Sequence, residues 1–365
     1  MAMKELLSIL EVAGGLEDAP QLLEKLVRHA ECSGASDIHI QMRRPTAEVA
    51  FRLDGVMTPP WGLDADVAER VGGRVKFLAR LKTYQESLPQ DGRIDKSGFG
   101  TANDIRVATY PTVTGEKIVL RIFGESRVRE LAELELPSDV EAVLENFLSR
   151  AAGMLLLTGP AGSGKTTTIY ACLQHLAKSG GRHVITVEDP VEQIIPGIMQ
   201  TETNEARGLT FSHAARHLLR QDPQVLVIGE IRDEETALIA LRAALTGHMV
   251  ISTLHAGSCQ RVIERLSSFC SDLALIAGSV DLVLNQRLVR RLCADCAGTG
   301  CPKCLVTGYH GRLPLLEFLR VDEAVRTKIL ARDFNNILAR PTLQERGRAL
   351  VQAGKTSSSE IQRIL

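Results

Sequence analysis

The sequence predicts a mixed α/β protein, in which a parallel sheet wrapped by helices follows a smaller α+β unit. After residue 139, short runs rich in valine and isoleucine alternate with helical segments, which is typical of strands in a parallel sheet. One of these runs, Met154–Thr158, leads into a glycine-rich loop. Before about residue 135, apolar and polar residues alternate over short stretches, as they do in half-buried strands. These three observations define the predicted fold class.

The composition places the chain among globular proteins. Of its 365 residues, 44% are hydrophobic and 24% are charged, which excludes a disordered or fibrous chain. The 43 basic and 44 acidic residues nearly cancel, which argues against a dedicated nucleic-acid binder. The longest apolar runs, such as Leu273–Leu284, contain polar residues, and the N-terminus is a poor secretory signal. We therefore expect a cytosolic protein with reduced thiols.

The predicted α+β unit contains two helices and several strands. Gln21–Cys32 and Asp66–Leu81 repeat apolar residues on one helical face. A charged segment that ends at Pro137 is typical of a linker. We therefore predict an N-terminal domain at 1–124, a linker at 125–138, a core at 139–292 and a C-terminal region at 293–365. The alternating stretches are Asp37–Gln41, Glu48–Leu53, Asp104–Ala108 and Lys117–Phe123.

The predicted core begins with Met154–Thr158 and continues through further short apolar runs. Ligands of parallel sheets bind outside the carboxyl ends of the strands, so we expect the functional side chains to follow these runs. The further runs are Val184–Val187, Val225–Ile228 and Met249–Thr253.

The clearest motif, at residues 159–166, fits the phosphate-loop pattern G-x-x-x-x-G-K-[ST]. Its small residues allow backbone N–H groups to surround a polyphosphate at a helix N-terminus. Lys165 would contact the β- and γ-phosphates of such a ligand, and the Thr166 hydroxyl would bind Mg²⁺. The residues expected to bind the nucleotide are Gly159, Pro160, Ala161, Gly162, Ser163, Gly164, Lys165, Thr166 and Thr167.

Two acidic residues follow predicted strands. Glu230 follows an apolar run, with Gly229 at the position where phosphate-loop enzymes usually have aspartate. Glu188 ends another run and is its candidate partner. One carboxylate could hold the metal and its waters while the other orients the attacking water, and the spacing does not decide between them. Two surface acids at strand ends are the alternative interpretation.

Two histidines flank the predicted strand Met249–Thr253. An imidazole of His248 or His255 could hydrogen-bond a γ-phosphate and respond to its loss. A structural role for each histidine is the alternative.

Four cysteines form two C-x-x-C pairs separated by four residues. Each pair directs two sulfur atoms towards one point, so together they predict a tetrahedral zinc site. With four thiolate ligands, the site would be structural. The alternative is that the cysteines are buried and reduced. The predicted ligands are Cys293, Cys296, Cys301 and Cys304.

Several motifs together resemble the ATPases that drive type II secretion and type IV pilus assembly. In the core, the segments at 184–192, 219–223, 228–233 and 245–255 carry the resemblance. The resemblance runs from about residue 35 to the C-terminus. Only about 35 residues precede it, where longer members carry a further domain that docks onto the inner-membrane platform. The other matching segments are Ala35–Ile40, Phe51–Gly55, Gln90–Arg93, Pro111–Glu116 and Thr307–Arg312.

The resemblance implies a RecA-like core with a smaller PAS-like N-terminal domain and ATP bound between them. It also implies that N-terminal arginines reach the phosphates, and the matching positions are Arg93 and Arg106, with Arg121 as a further candidate. In the family, His248 and His255 lie in the motif called the His box, Glu188 in the Asp box and Glu230 in Walker B.

The resemblance further implies a homohexameric motor for type II secretion pseudopilus or type IV pilus assembly. Its expected partner is an inner-membrane platform protein, without direct nucleic-acid contact. The expected location is cytoplasmic, peripheral at the inner membrane through partners. A pilus-retraction motor is the nearest alternative, although the cysteine cluster argues against it. A DNA-handling motor and a nucleotide-gated scaffold that does not hydrolyse ATP remain further alternatives.

Overall fold

The computed structural model describes residues 19–96, 104–122 and 128–365. Expectations for the first 18 residues, for Phe123 and for the start of the predicted linker therefore lie outside the described residues. The chain forms two compact units. One contains the described residues before 123 together with Arg290–Arg312, and the other contains residues 128–289 together with Leu313–Leu365.

In the residues that the structure describes, the N-terminal unit contains one sheet and two helices, as its sequence pattern predicts. Leu22 and Leu26 of the first helix and Val71 and Val75 of the second are buried in one apolar core. The second helix is capped by Asp64, whose carboxylate accepts hydrogen bonds from two backbone N–H groups. The elements are α1 (Ala19–Ser33), β1 (Ala35–Arg43), β2 (Thr46–Leu53), β3 (Val56–Met57), β4 (Trp61–Asp64), α2 (Ala65–Leu78), β5 (Gln90–Ile94), β6 (Ile105–Thr112) and β7 (Gly115–Ile122).

The strands of this unit pair antiparallel in the order β3-β2-β1-β7-β6-β5, and β4 also pairs with β2. In this register Arg93 lies opposite Arg106, Arg106 opposite Arg121, and Arg121 opposite Asp37. Directly opposed residues share a face of a sheet. The three arginines therefore form a cross-strand row.

The second unit contains a seven-stranded sheet whose central strands are parallel. The expected α/β fold class, with a smaller N-terminal α+β unit, is confirmed. No helix in the described ranges is long and apolar enough to cross a bilayer. The elements, of which β13 and β14 extend into the other unit, are α3 (Ser138–Leu148), β8 (Gly153–Thr158), α4 (Lys165–Ser179), β9 (Val184–Glu188), β10 (Met199–Glu202), α5 (Phe211–Leu218), β11 (Val225–Ile228), α6 (Glu234–Leu245), β12 (Met249–Thr253), α7 (Cys259–Phe269), α8 (Leu273–Ser279), β13 (Val280–Leu292), β14 (Tyr309–Arg320), α9 (Glu323–Leu330), α10 (Leu343–Gln352) and α11 (Ser358–Ile364).

The strand order of this sheet is β10-β9-β11-β12-β8-β13-β14. Strands β8, β9, β11 and β12 are buried along their whole length, which explains their continuous apolar sequences. They run parallel, so their carboxyl ends lie at one edge of the sheet. The phosphate-loop motif and both candidate acids follow strands at this edge.

The cysteine segment belongs structurally to the N-terminal unit. Leu305 is buried in the apolar core of that unit. The Gly311 N–H donates a hydrogen bond of 2.8 Å to Asp54 at the end of β2. These contacts explain why residues that are distant in sequence group together.

Candidate active site

The phosphate loop connects β8 to α4. Gly159, Gly162 and Gly164 have positive φ angles of 143°, 74° and 88°, which glycine adopts at little cost. A Cβ atom at Gly159 would also collide with the backbone carbonyl of Gln286. The glycine positions of the motif are therefore required by the backbone path of the loop.

The Lys165 ammonium group lies within the loop. Its Nζ donates hydrogen bonds to the carbonyl oxygens of Gly159, at 2.8 Å, and Pro160, at 3.0 Å. Burial lowers the pKa of Lys165, and the Glu230 carboxylate partly opposes this effect. The neighbouring Ser163 Oγ is buried without a hydrogen-bond partner. A polyphosphate would supply negative charge beside the Lys165 ammonium group and a hydrogen-bond partner for Ser163 Oγ.

Glu188, at the end of β9, is buried, with 7% of its surface exposed. Its Oε1 accepts hydrogen bonds from Thr186 Oγ1, at 2.6 Å, and Gln200 Nε2, at 3.0 Å. Its Oε2 accepts one from the Tyr170 hydroxyl. Three donors from three elements therefore fix this carboxylate.

Glu230, just after β11, has different neighbours. His255 Nε2 lies 3.1 Å from Glu230 Oε1, and Arg232 Nε donates to Oε2 at 3.0 Å. Arg232 also contacts Asp189 at 3.2 Å. The hydrogen bond to Glu230 raises the pKa of the Arg232 guanidinium. Glu230 is thus held by one cation and by one imidazole whose side chain is 61% exposed.

A cleft with a cavity volume of about 210 Å³ brings the predicted groups together. Lys165, Thr166, Glu188, Glu230 and His255 all line the cleft.

His248 does not join this group. It precedes β12, whereas His255 follows the strand, so the two residues lie at opposite edges of the sheet. His248 Nδ1 contacts the Ala243 carbonyl oxygen at 3.0 Å. The sequence motif contains both histidines, but an extended strand separates them. Within this single chain, His248 therefore lies outside the cleft that the other predicted groups line.

Arg93 and Arg106 lie in the N-terminal unit, on β5 and β6. Arg93 pairs with Asp104, while Arg106 Nη2 lies 3.9 Å from Asp91 Oδ1. Their side chains are 62% and 61% exposed. Both guanidinium groups are therefore accessible to solvent in the cross-strand row.

The four predicted cysteine ligands form a compact cluster, with all sulfur atoms within 4.8 Å of one another. Three of the Sγ–Sγ distances are 3.7 to 3.8 Å. A tetrahedral zinc ion with Zn–S bonds of about 2.3 Å requires separations of about 3.8 Å. The donor set and its spacing therefore fit zinc.

Backbone N–H groups surround these sulfur atoms. The Gly300 N–H donates to Cys296 Sγ at 3.3 Å, and the Cys301 N–H to Cys304 Sγ at 3.2 Å. Burial opposes ionisation of Cys296, but backbone N–H groups outweigh it and lower its pKa to about 7. Burial raises the pKa of Cys293 to about 11. Backbone N–H groups thus favour the thiolate form at Cys296.

Apart from His255, the side chains that hold the two acids were not among the predicted site residues. Arg232 follows Glu230 by two residues and belongs to the family segment 228–233, but the sequence did not indicate that it contacts Glu230. Tyr170 follows Thr166 by four residues, and this spacing places both on one face of a helix. The helical spacing could therefore have indicated Tyr170. Gln200 gave no sequence signal, because it reaches Glu188 from a separate strand.

The comparisons with known proteins cover almost the whole chain. Residues 14–363 match the model of the family described as type II/IV secretion system protein. The type II secretion system ATPase E of Vibrio cholerae is 37% identical over 382 residues, covering 95% of this chain and 76% of the relative. The protein transport protein HofB homolog of Haemophilus influenzae is 39% identical over 354 residues, covering 96% and 74%.

A solved structure is also similar in fold. The ATPase DotB of Legionella pneumophila aligns with a TM-score of 0.70 and 22% identity, covering 94% of this chain and 95% of DotB. The family match and the two relatives agree with the resemblance that the sequence motifs indicated. The chain belongs to the type II/IV secretion system protein family.

Proposed function

We propose that this protein is a homohexameric ATPase motor that converts ATP hydrolysis into mechanical work for type II secretion pseudopilus or type IV pilus assembly. The observation that carries the proposal is the convergence of Lys165, Thr166, Glu188 and Glu230 on one cleft. Its relatives include a protein named type II secretion system ATPase E. Membership of the secretion family supports ATP hydrolysis as the activity of this cleft.

ATP binding would use the phosphate loop. The N–H groups of the loop and the first turn of α4 would face the polyphosphate, and Lys165 would transfer its hydrogen bonds from Gly159 and Pro160 to phosphate oxygens. Thr166 and the neighbouring acids would hold Mg²⁺, which neutralises phosphate charge when bound. Thr166 suits this role because its side chain is exposed at the start of α4.

The two acids would have different tasks. Glu188 is buried and fixed by three donors, which suits a carboxylate that holds the metal and its waters in place. Glu230 is less buried and adjoins His255, so it would orient the attacking water towards the γ-phosphate. Arg93 and Arg106 would supply positive charge to the phosphates, as the resemblance implies.

The remaining expectations complete the proposal. Cys293, Cys296, Cys301 and Cys304 would bind one structural Zn²⁺. Along the chain, the proposed domains would be 1–124, a linker at 125–138, 139–292 and 293–365, with Arg290–Arg312 grouped with the N-terminal unit and Leu313–Leu365 with the second unit. The hexamer would act at the cytoplasmic side of the inner membrane on a platform protein of the machine.

The test measures ATP turnover per subunit against protein concentration. For the wild type we expect turnover that rises steeply with concentration, because a hexamer would complete the site. Glu230→Gln should be inactive, whereas Glu323→Gln should match the wild type, since that side chain is 89% exposed. Flat turnover that is equal in the wild type and Glu230→Gln would refute hydrolysis at this cleft.

A further inference from the structure

Tyr170 lies in the nucleotide cleft although no motif contains it in a catalytic role. It is on α4, four residues after Thr166, and only 5% of its surface is exposed. It lines the cleft that also contains Lys165, Glu188 and Glu230. A buried tyrosine normally directs its hydroxyl to a specific partner. Here that partner is one of the two candidate acids.

The Tyr170 hydroxyl joins three segments of the chain. It donates to Glu188 Oε2 at the end of β9. It accepts hydrogen bonds from the backbone N–H groups of Glu192, at 3.0 Å, and Gln193, at 3.4 Å. A phenol has one donor and a limited number of acceptor sites, and all are used here. The helix that follows the phosphate loop is thereby tied to Glu188 and to the loop after it.

The other oxygen of Glu188 is held by a residue of a separate strand, β10. Gln200 Nε2 donates to Glu188 Oε1 and also to the Gln193 carbonyl oxygen, at 3.0 Å in both cases. Gln200 Oε1 in turn accepts a hydrogen bond from the Ile195 N–H at 2.7 Å. Tyr170 and Gln200 therefore hold the two oxygens of one carboxylate, and both contact Gln193.

The phenol is suited to remain a donor. An ionised carboxylate offers only acceptor oxygens, so the hydroxyl that faces Glu188 Oε2 serves as the donor. A carboxylate fixed by a permanent donor keeps one orientation relative to the phosphate loop.

We propose that Tyr170 is a positioning residue for ATP hydrolysis, which fixes the Glu188 carboxylate relative to the phosphate-loop helix through its hydroxyl group. This inference rests on the proposed function of the cleft and of Glu188 within it. The hydroxyl contributes to the catalytic step, whereas the phosphate loop binds ATP. Loss of the hydroxyl therefore lowers kcat and spares KM.

The test is Tyr170→Phe, which removes one oxygen and keeps the ring. We expect kcat to fall roughly 10- to 100-fold, the cost of a misplaced catalytic group, with KM for ATP within about twofold of the wild type. Tyr84→Phe is the matched control, because that side chain is 83% exposed, and it should keep wild-type kcat and KM. Wild-type kcat in Tyr170→Phe, or a rise in KM alone, would overturn the inference.

Two further variants separate this inference from the proposed function. Glu188→Ala tests the acid itself, and wild-type turnover there would refute the role of Glu188 and of Tyr170 together. Glu188→Asp keeps an acid but shortens it beyond the reach of Tyr170. In that background Tyr170→Phe should change kcat less than twofold. The same fold-loss in both backgrounds would show that Tyr170 acts elsewhere, and would leave the proposed function standing.

Discussion

The zinc site offers the strongest connection between a sequence motif and the stability of a structural unit. Cys296→Ser replaces one thiolate ligand by a hydroxyl and should abolish stoichiometric zinc binding. If the proposed zinc ion organises the turns of Arg290–Arg312, the variant also loses that organisation. Free energy of metal binding is folding free energy in small sites of this type. Loss of the metal should therefore destabilise the N-terminal unit, onto which this segment packs.

The magnitude follows from two contacts of that segment. Leu305 is buried in the N-terminal core, and burial of a leucine contributes about 1.5–3 kcal/mol. The Gly311 N–H donates to the Asp54 carboxylate, and a hydrogen bond to a charged group contributes about 1.5–3 kcal/mol. If both contacts are lost, the N-terminal unit loses about 3–6 kcal/mol of its free energy of unfolding.

The assay uses the single tryptophan of the chain. Trp61 lies on β4 against Phe51, with ring centroids 5.2 Å apart, so its fluorescence reports on unfolding of the N-terminal unit. Zinc content by mass spectrometry and urea unfolding are measured for the wild type, Cys296→Ser and Cys32→Ser. Cys32 is exposed and outside the cluster, so its variant should match the wild type. Full zinc content and a wild-type urea midpoint in Cys296→Ser would refute the reasoning.

Three further predictions concern packing, pH and the histidines. Lys76→Met should lower the free energy of unfolding in urea by about 3–5 kcal/mol, because it removes the cation 2.7 Å from the largely buried Glu116 carboxylate. The double variant Lys76→Met with Glu116→Gln should recover part of this loss. The hydrogen bond from Arg346 holds the pKa of Asp139 below its usual value. The stabilisation of the folded state by this pair is therefore present at neutral pH and is lost as pH falls below about 4. The difference in thermal midpoint between wild type and Arg346→Met should therefore narrow in acid, and a constant difference would contradict this. His248→Ala should keep ATP turnover within about twofold of wild type, since His248 lies away from the cleft. A large loss of turnover would show that His248 contributes to the nucleotide site.

The sequence predicted the parts of this site that local patterns determine. The strand Met154–Thr158 and the phosphate loop could be read from one continuous segment, because the loop needs glycine at fixed positions. Glu188 and Glu230 were found because carboxyl ends of parallel strands share an edge. Thr186 reaches Glu188 from two residues away on the same strand, but Tyr170 and Gln200 come from other elements, and no local pattern encodes their meeting with Glu188.

The buried pair of Lys76 and Glu116 shows the same limit. Lys76 lies on the predicted helix Asp66–Leu81, where a lysine is expected to be solvated, yet only 2% of its side chain is exposed. Its partner is on β7, forty residues later. A tertiary ion pair overrides the helical pattern at that position. Partner choice of this kind depends on the packing of a helix against a sheet.

Alanine variants of the cross-strand arginine row distinguish an effect on stability from an effect on ATP turnover. Arg93 and Arg106 are largely exposed, and exposed ion pairs contribute little to stability, so their alanine variants should keep the wild-type urea midpoint. If they reach the phosphates as the resemblance implies, ATP turnover should fall by about 10³–10⁵. Arg28→Ala is the matched control, since that residue is 64% exposed in the same unit and pairs only with a neighbouring helical acid in the described contacts. Unchanged turnover in Arg93→Ala and Arg106→Ala would show that the row is a surface feature of the sheet. Lost turnover at an unchanged midpoint would mean that the row acts on the nucleotide, because an effect through folding would move both.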